Sequence, residues 1–338
     1  MAAETPQREI PLEQGVMQEF TIDPSTPIPE TVKRATGEGQ SIAFFQQTYY
    51  NEILIEGRFP LIDYGGFKGL EQISIDFRHV PYEIPDRFSL FAKKILQERK
   101  GDAWDGPIIS TCDISITDVL TPRLVIRPAS YFNLIQTNLA QDVDMSKYDD
   151  IFNSVTTWRS LEVKDGKTIP LSMSKMVNQL CLSYIILTED EKHMISGMRR
   201  SNLAVEGGTT GLLGSTPRFS EDYLKGTERF GDCIGHHIQG QLARELCVEP
   251  EEYLLKEGFA MRDLMRGSNL FMVYMLRGVK HEMLAERCRV SKEAKKEHAR
   301  LYVAPFTLEA IASLEKGSSG YSMNLGTLGG CYYALKAK

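Results

Sequence analysis

Apolar residues in this chain fall into short runs separated by polar turns marked with proline or glycine, and the pattern changes character several times. Residues 1–40 contain no sustained apolar run and carry Pro6, Pro11, Pro24, Pro27 and Pro29, so they read as an extended or disordered arm. Between 41 and 87 the segment Asp63-Tyr-Gly-Gly-Phe67 and the alternation Ile73-Ser-Ile-Asp-Phe77 predict two strands, expected to pair with each other. Phe91–Lys100 has the spacing of a short amphipathic helix, Arg123–Tyr131 that of a strand, and Asp144–Leu171 is polar enough to be expected as a loop.

The second half is richer in strands. Leu180–Leu187 is a β-rich run, Thr188–Lys192 a turn, and Met194–Met198 a second strand ending in Arg199-Arg200-Ser201. A helix is expected around Gln241-Leu-Ala-Arg-Glu-Leu-Cys-Val-Glu249, followed by strands at Gly258–Asp263 and Asn269–Leu276. Lys280–Arg300 interleaves charges as a solvated helix does, Glu297–Val303 reads as a later strand, and Leu325–Leu335 as a closing apolar helix.

Composition narrows the class without naming it. A chain of 338 residues with 42% hydrophobic and 25% charged residues has globular proportions and enough material for a core. The formal net charge of −6 argues against a groove that holds nucleic acid by general electrostatics. No run approaches the ~20 apolar residues of a membrane span. The beginning, Met-Ala-Ala-Glu-Thr-Pro, has no apolar stretch like that of a signal peptide. Six cysteines, at 112, 181, 233, 247, 288 and 331, lack paired spacing and are expected to be reduced, which favours the cytoplasm.

Candidate chemistry concentrates near residue 245. Glu245 and Glu249 are four apart, so a continuous helix would place both on one face. Pro250 disturbs that expectation, because a residue before proline is pushed out of helical geometry. Cys233, His236 and His237 form a C-x-x-H-H cluster, but a zinc site usually takes four ligands from two spaced pairs and no second pair follows. No G-x-S-x-G elbow occurs, and the Gly-rich stretches do not spell a phosphate-cradling G-x-x-x-x-G-K-[ST] loop.

Arg244-Glu-Leu with Glu249 resembles the acidic R-E-U-x-E-E helix of Nudix enzymes, with Val248 at one carboxylate position and His236 at the earlier glutamate. The strand, acidic turn, strand and Arg199-Arg200-Ser201 upstream resemble the opening of a Nudix domain, and Gly214-Ser215 is the best stand-in for its Gly pair. Trp104-Asp-Gly-Pro107, Ser130-Tyr131 and Thr137-Asn138 resemble the forward extension of the Nudix branch that cleaves UDP-sugars, whose box is also irregular. The resemblance spans roughly residues 88–338.

It implies an α+β chain: a Nudix fold (α/β/α sandwich with a mixed sheet) plus a smaller α+β N-terminal extension. The corresponding division is an arm at 1–40, an extension at 41–170 and a Nudix-like domain at 171–338. It further implies Mg²⁺ (or Mn²⁺) held by Glu245 and Glu249 as the catalytic carboxylates, with help from Glu228, Asp232 or Glu297. Arg199, Arg200 and Arg244 are then the candidates for gripping a diphosphate.

Three functions follow from these observations. The first is a Nudix-fold protein that binds a nucleoside-diphosphate-type ligand but has weak or lost hydrolysis, as a sensor or partner subunit. The second is an active metal-dependent pyrophosphohydrolase of derivatives such as UDP-sugars. The third is an assembly protein acting through its N-terminal segment, as a homo-oligomer or within a larger complex.

Overall fold

The computed structural model describes residues 18–19, 61–67, 73–101, 103–115, 123–152, 156–164, 167–199, 210–211, 213–215, 217, 230–263, 269–279 and 298–307. The strands are β1 (Gln18–Glu19), β2 (Leu61–Phe67), β3 (Ser74–Phe77), β4 (Pro107–Ser115), β5 (Arg123–Ser130), β6 (Val163–Lys164) and β7 (Lys167–Thr168). They continue with β8 (Leu180–Thr188), β9 (His193–Arg199), β10 (Thr210–Gly211), β11 (Leu213–Ser215), β12 (Leu254–Asp263), β13 (Asn269–Val279) and β14 (His298–Pro305). The helices are α1 (Ser89–Arg99), α2 (Tyr131–Gln136), α3 (Trp158–Leu161) and α4 (Phe230–Leu246). Helices and mixed sheets in this order make an α+β chain.

Among the described residues the main sheet runs β1-β14-β9-β8-β13-β12-β2, with β10 added to β9 and β11 to β8. Its centre is the parallel pair β8 and β13, in register from Leu180↔Leu270 to Ile186↔Leu276. Parallel neighbours need a crossover, and the intervening chain contains α4. Strand β8 is buried without interruption from Tyr184 to Thr188, as expected for a strand covered on both faces. The turn after it is tied by Asp190, whose carboxylate accepts from the Thr188 hydroxyl at 2.6 Å and the Lys192 N–H at 3.1 Å.

A second sheet has the order β3-β5-β4, β3 lying parallel to β5 and β4 antiparallel to it. Its Ile109, Ile114, Leu124 and Ile126 belong to one hydrophobic cluster with Leu180, Leu182, Tyr184 and Ile186 of β8. Ser110 of β4 also bridges Gln179 just ahead of β8. The core is therefore continuous across residue 170.

Three expectations need correction. The strands near 63–67 and 73–77 exist but do not pair with each other: β2 lies on β12 in the main sheet, and β3 lies on β5 in the smaller one. Alternation identifies a strand but not its neighbour. The polar stretch 144–171 is not simply a loop. It contains α3, opened by a capping box in which the Thr157 hydroxyl accepts from Ser160 N–H and the Ser160 hydroxyl accepts from Thr157 N–H, each at 3.0 Å. Trp158 in that helix is fully buried against Phe88 and Phe91, and its indole N–H donates to Gln136 C=O at 2.9 Å.

The third concerns the charged helix expected at Lys280–Arg300. Its last residues, His298–Arg300, belong to strand β14. Residues 280–297, the closing helix at 325–335, Gly207-Gly208 and, apart from Gln18–Glu19, the N-terminal arm lie outside the described residues. Among the described residues, no helix is long and apolar enough to cross a membrane.

Candidate functional site

Helix α4 is positioned by one apolar stripe. Ile234, Ile238, Leu242 and Leu246 recur every fourth residue and are each no more than 2% exposed. They join the cluster containing Tyr184, Ile186, Ile195 and Val303. His236 and Arg244 are exposed, and His237 is half-buried. Arg244 is held along the helix by Gln241, whose side-chain oxygen accepts from its guanidinium at 2.8 Å.

The helix stops at Leu246. Cys247 takes the left-handed conformation at φ 53°, a common way to end a helix. The next N–H, from Val248, folds back to donate to Leu242 C=O at 3.3 Å. Val248 is 1% exposed and belongs to the same cluster as Leu242 and Leu246. It serves as the apolar plug under the helix end.

Glu249 is exposed and extended, with φ −89° and ψ 156°. Its N–H donates to the Glu252 carboxylate at 2.9 Å, at the start of the short 3₁₀ turn Pro250–Glu252. Tyr253, next along, packs on the core edge; burial first, and then the nearby Glu251 charge, push its phenol pKa up.

Glu245 and Glu249 therefore do not share a helix face. Glu245 lies within α4. Glu249 lies beyond the helix end, as the disturbance from Pro250 suggests. Mg²⁺ requires several oxygen ligands. After α4 the described chain offers the carboxylates of Glu249, Glu251 and Glu252, the last accepting from Glu249 N–H, and at 248 it offers a buried methyl pair. Among the described residues, no three His, Cys, Asp or Glu side chains gather as a metal-binding group.

The remaining candidates are scattered. Arg199 ends β9, its backbone in register with His298. Arg200, Glu228 and Glu297 lie outside the described residues, and Asp232 lies in the first turn of α4. Gly214 and Ser215 form part of β11, opposite Ser183 and Leu182. Cys112, Cys181 and Cys247 are not joined in disulfides.

A charged pair elsewhere escaped the sequence reading. Arg262 of β12 has a side chain 0% exposed, and its Nη2 lies 2.5 Å from the Glu162 carboxylate, itself 4% exposed. The Arg262 Nη1 donates to Ile169 C=O at 3.1 Å, while the other Glu162 oxygen accepts from the Ser174 hydroxyl at 2.9 Å and Lys175 N–H at 3.2 Å. This arrangement spends its hydrogen bonds internally and locks strand β12 to the segment before β8.

No protein-family model matches the chain, and no curated protein matches it in sequence. Among solved structures it is similar to the NUDIX domain of Shewanella oneidensis NrtR, solved in complex with ADP ribose, at 12% identity and a TM-score of 0.28. That match covers 47% of this chain and 86% of the other. A likeness of this size adds nothing to the argument about the site.

Proposed function

We propose that this chain is a Nudix-like protein that binds a nucleoside-diphosphate-type ligand and has lost fast pyrophosphate hydrolysis. The order of four strands, a helix and two strands from Leu180 to Val279 supports the fold half of the reading, together with the Arg244-Glu-Leu and Arg199-Arg200-Ser201 motifs.

One observation supports the loss of hydrolysis. The position that holds a carboxylate in the acidic box is Val248, 1% exposed and part of the core, while Glu249 has left the helix. Pyrophosphate cleavage needs a divalent cation to neutralise phosphoryl oxygens and generate the nucleophile. A helix end built for apolar packing is a poor place for one.

The test measures turnover and binding on the same material. UDP-sugars, ADP-ribose, NAD and nucleoside triphosphates are each incubated with Mg²⁺ or Mn²⁺, and melting temperature is recorded alongside product. The expected outcome is no turnover above that of a Glu245→Gln variant, with at least one nucleotide raising the melting temperature by mass action. Turnover abolished in Glu245→Gln and in Glu249→Gln would establish a hydrolase instead. No turnover and no thermal shift with any of these compounds would remove the ligand-binding reading.

A further inference from the structure

Strand β3 is the last strand of the small sheet among the described residues, with β5 on its inner side. Its two faces are used differently. Ile75 and Phe77 pack against the main hydrophobic cluster, whereas Arg78 is exposed and the Asp76 side chain is 45% exposed. Arg78 continues the ladder one step beyond the strand, its N–H donating to Ile126 C=O at 2.8 Å. The rings of Phe77 and His79 meet edge to face, centroids 4.8 Å apart, as same-face neighbours on an extended chain do.

Backbone groups alternate in direction along a strand. Since Arg78 turns its N–H toward β5, Asp76 does the same, and Ile75 and His79 turn theirs to the outer edge. An outward edge is a template for another chain, and charges of one sign on it commonly repel a second copy. Asp76 and Arg78 do the reverse, being of opposite sign and two residues apart on one face.

Antiparallel pairing of a strand with its own copy places one residue opposite itself, and the charges choose which. An axis at Asp76 opposes two carboxylates, and an axis at Arg78 opposes two guanidiniums. An axis at position 77 brings Asp76 of each copy opposite Arg78 of the other. These two positions turn their backbone groups inward, so they face each other as a non-hydrogen-bonded pair, with Cα atoms about 4.5 Å apart and side chains at their closest. In the same register Ile75 and His79 exchange backbone hydrogen bonds with His79 and Ile75 of the second copy. The charges suit this arrangement. Asp76 Oδ2 accepts from Arg123 at 2.7 Å, its other oxygen can accept from a second guanidinium, and Arg78 forms no ion pair among the described residues.

We propose that β3 pairs antiparallel with β3 of a second copy of this chain, about a two-fold axis at position 77. The pairing joins two small sheets into one and closes reciprocal ion pairs between Asp76 and Arg78. Such an interface is isologous, each copy offering the same patch. It is separate from the ligand-binding reading, because none of its residues belongs to α4 or its flanks.

The experiment is sedimentation equilibrium of the full chain, with circular dichroism as the check on folding. The wild-type protein is expected to dimerise. Asp76→Lys and Arg78→Glu each oppose like charges across the axis and weaken self-association by ~10-fold or more. Both sites are exposed, and the lost Asp76–Arg123 bridge contributes little to stability. Mixed in equal amounts, the two variants complement each other, the new lysine facing the new glutamate and the retained Arg78 facing the retained Asp76. The mixture therefore associates as the wild type does. A second readout is oxidation of Asp76→Cys mixed with Arg78→Cys, where peptide mass spectrometry is expected to find a disulfide joining position 76 of one variant to 78 of the other. A wild-type monomer at every concentration overturns the proposal. So do single variants that dimerise as tightly as wild type, a mixture no tighter than its components, or the absence of the mixed disulfide.

Discussion

Arg262 and Glu162, a hundred residues apart in sequence, form an ion pair whose side chains are 0% and 4% exposed. Removing one member of such a pair strands the other charge. Arg262→Met is expected to cost ~3–5 kcal/mol, read as a lower urea midpoint at unchanged slope. The double variant Arg262→Met with Glu162→Leu recovers part of that loss, because no charge is then left buried. Recovery stays incomplete, since the Ser174 hydroxyl and Lys175 N–H lose their acceptor. A single variant as stable as the parent would show that the pair contributes nothing.

Restoring the acidic box by Val248→Asp is expected to destabilise rather than activate. The side chain is 1% exposed among Leu242, Leu246 and their neighbours, so a carboxylate there loses its hydration without gaining a partner, at about 3 kcal/mol or more. Thermal melting and a Mg²⁺-dependent turnover assay on the same preparation separate the two effects. Gain of turnover with unchanged melting would reverse the reading of position 248.

The two tryptophans report separate regions. Trp104 is 68% exposed and Trp158 is 0% exposed. In Trp104→Phe, the remaining emission is expected to be blue-shifted and nearly insensitive to iodide. Trp158→Ala removes the centre of the cluster formed with Phe88, Phe91 and Met145 and is expected to cost ~3–5 kcal/mol. Equal quenching of both tryptophans by iodide would contradict the burial of Trp158.

Cys112 should behave as an inert thiol. Burial pushes its pKa up, outweighing the lowering influence of Arg127 and Arg78. A thiol whose folded pKa exceeds its unfolded value supports the folded state below the unfolded pKa, and this support fades as pH rises through that value toward the folded one. Alkylation at about pH 8.5, near the ordinary thiol midpoint, is expected to label Cys112 only after denaturant is added. Mass spectrometry of the labelled peptides gives the answer, and native labelling at the unfolded rate would refute it.

The elements of the second half were legible because each rests on a local signal. Leu180–Leu187 and Asn269–Leu276 are continuous β-rich runs, and they emerge as the adjacent central strands β8 and β13. Pro250 signals in the sequence the nearby end of α4 at Leu246. What was not legible depends on distant partners. Nothing near Leu61 says that its neighbour is Asp263, yet the two lie in register. Glu162 lies in a polar stretch, and only Arg262, far along the chain, decides that it is buried. Trp158 carried the one available hint, since a large aromatic in a polar segment usually finds a core. At the candidate site, the residue types suggested a shared face that the backbone does not provide, because helix termination is set by Cys247 and Pro250 rather than by the glutamates.

The pairing of β2 with β12 also constrains the order of assembly. Strand β2 leaves the ribosome long before β12 and β13 exist, so its residues wait, unpaired, while most of the chain is made. Contacts of such long sequence separation are slow to close, and an unpaired strand is a template for the wrong partner. The late-made half of the protein must therefore capture its own beginning, and synthesis halted before residue 254 would release a fragment with an orphaned, aggregation-prone edge.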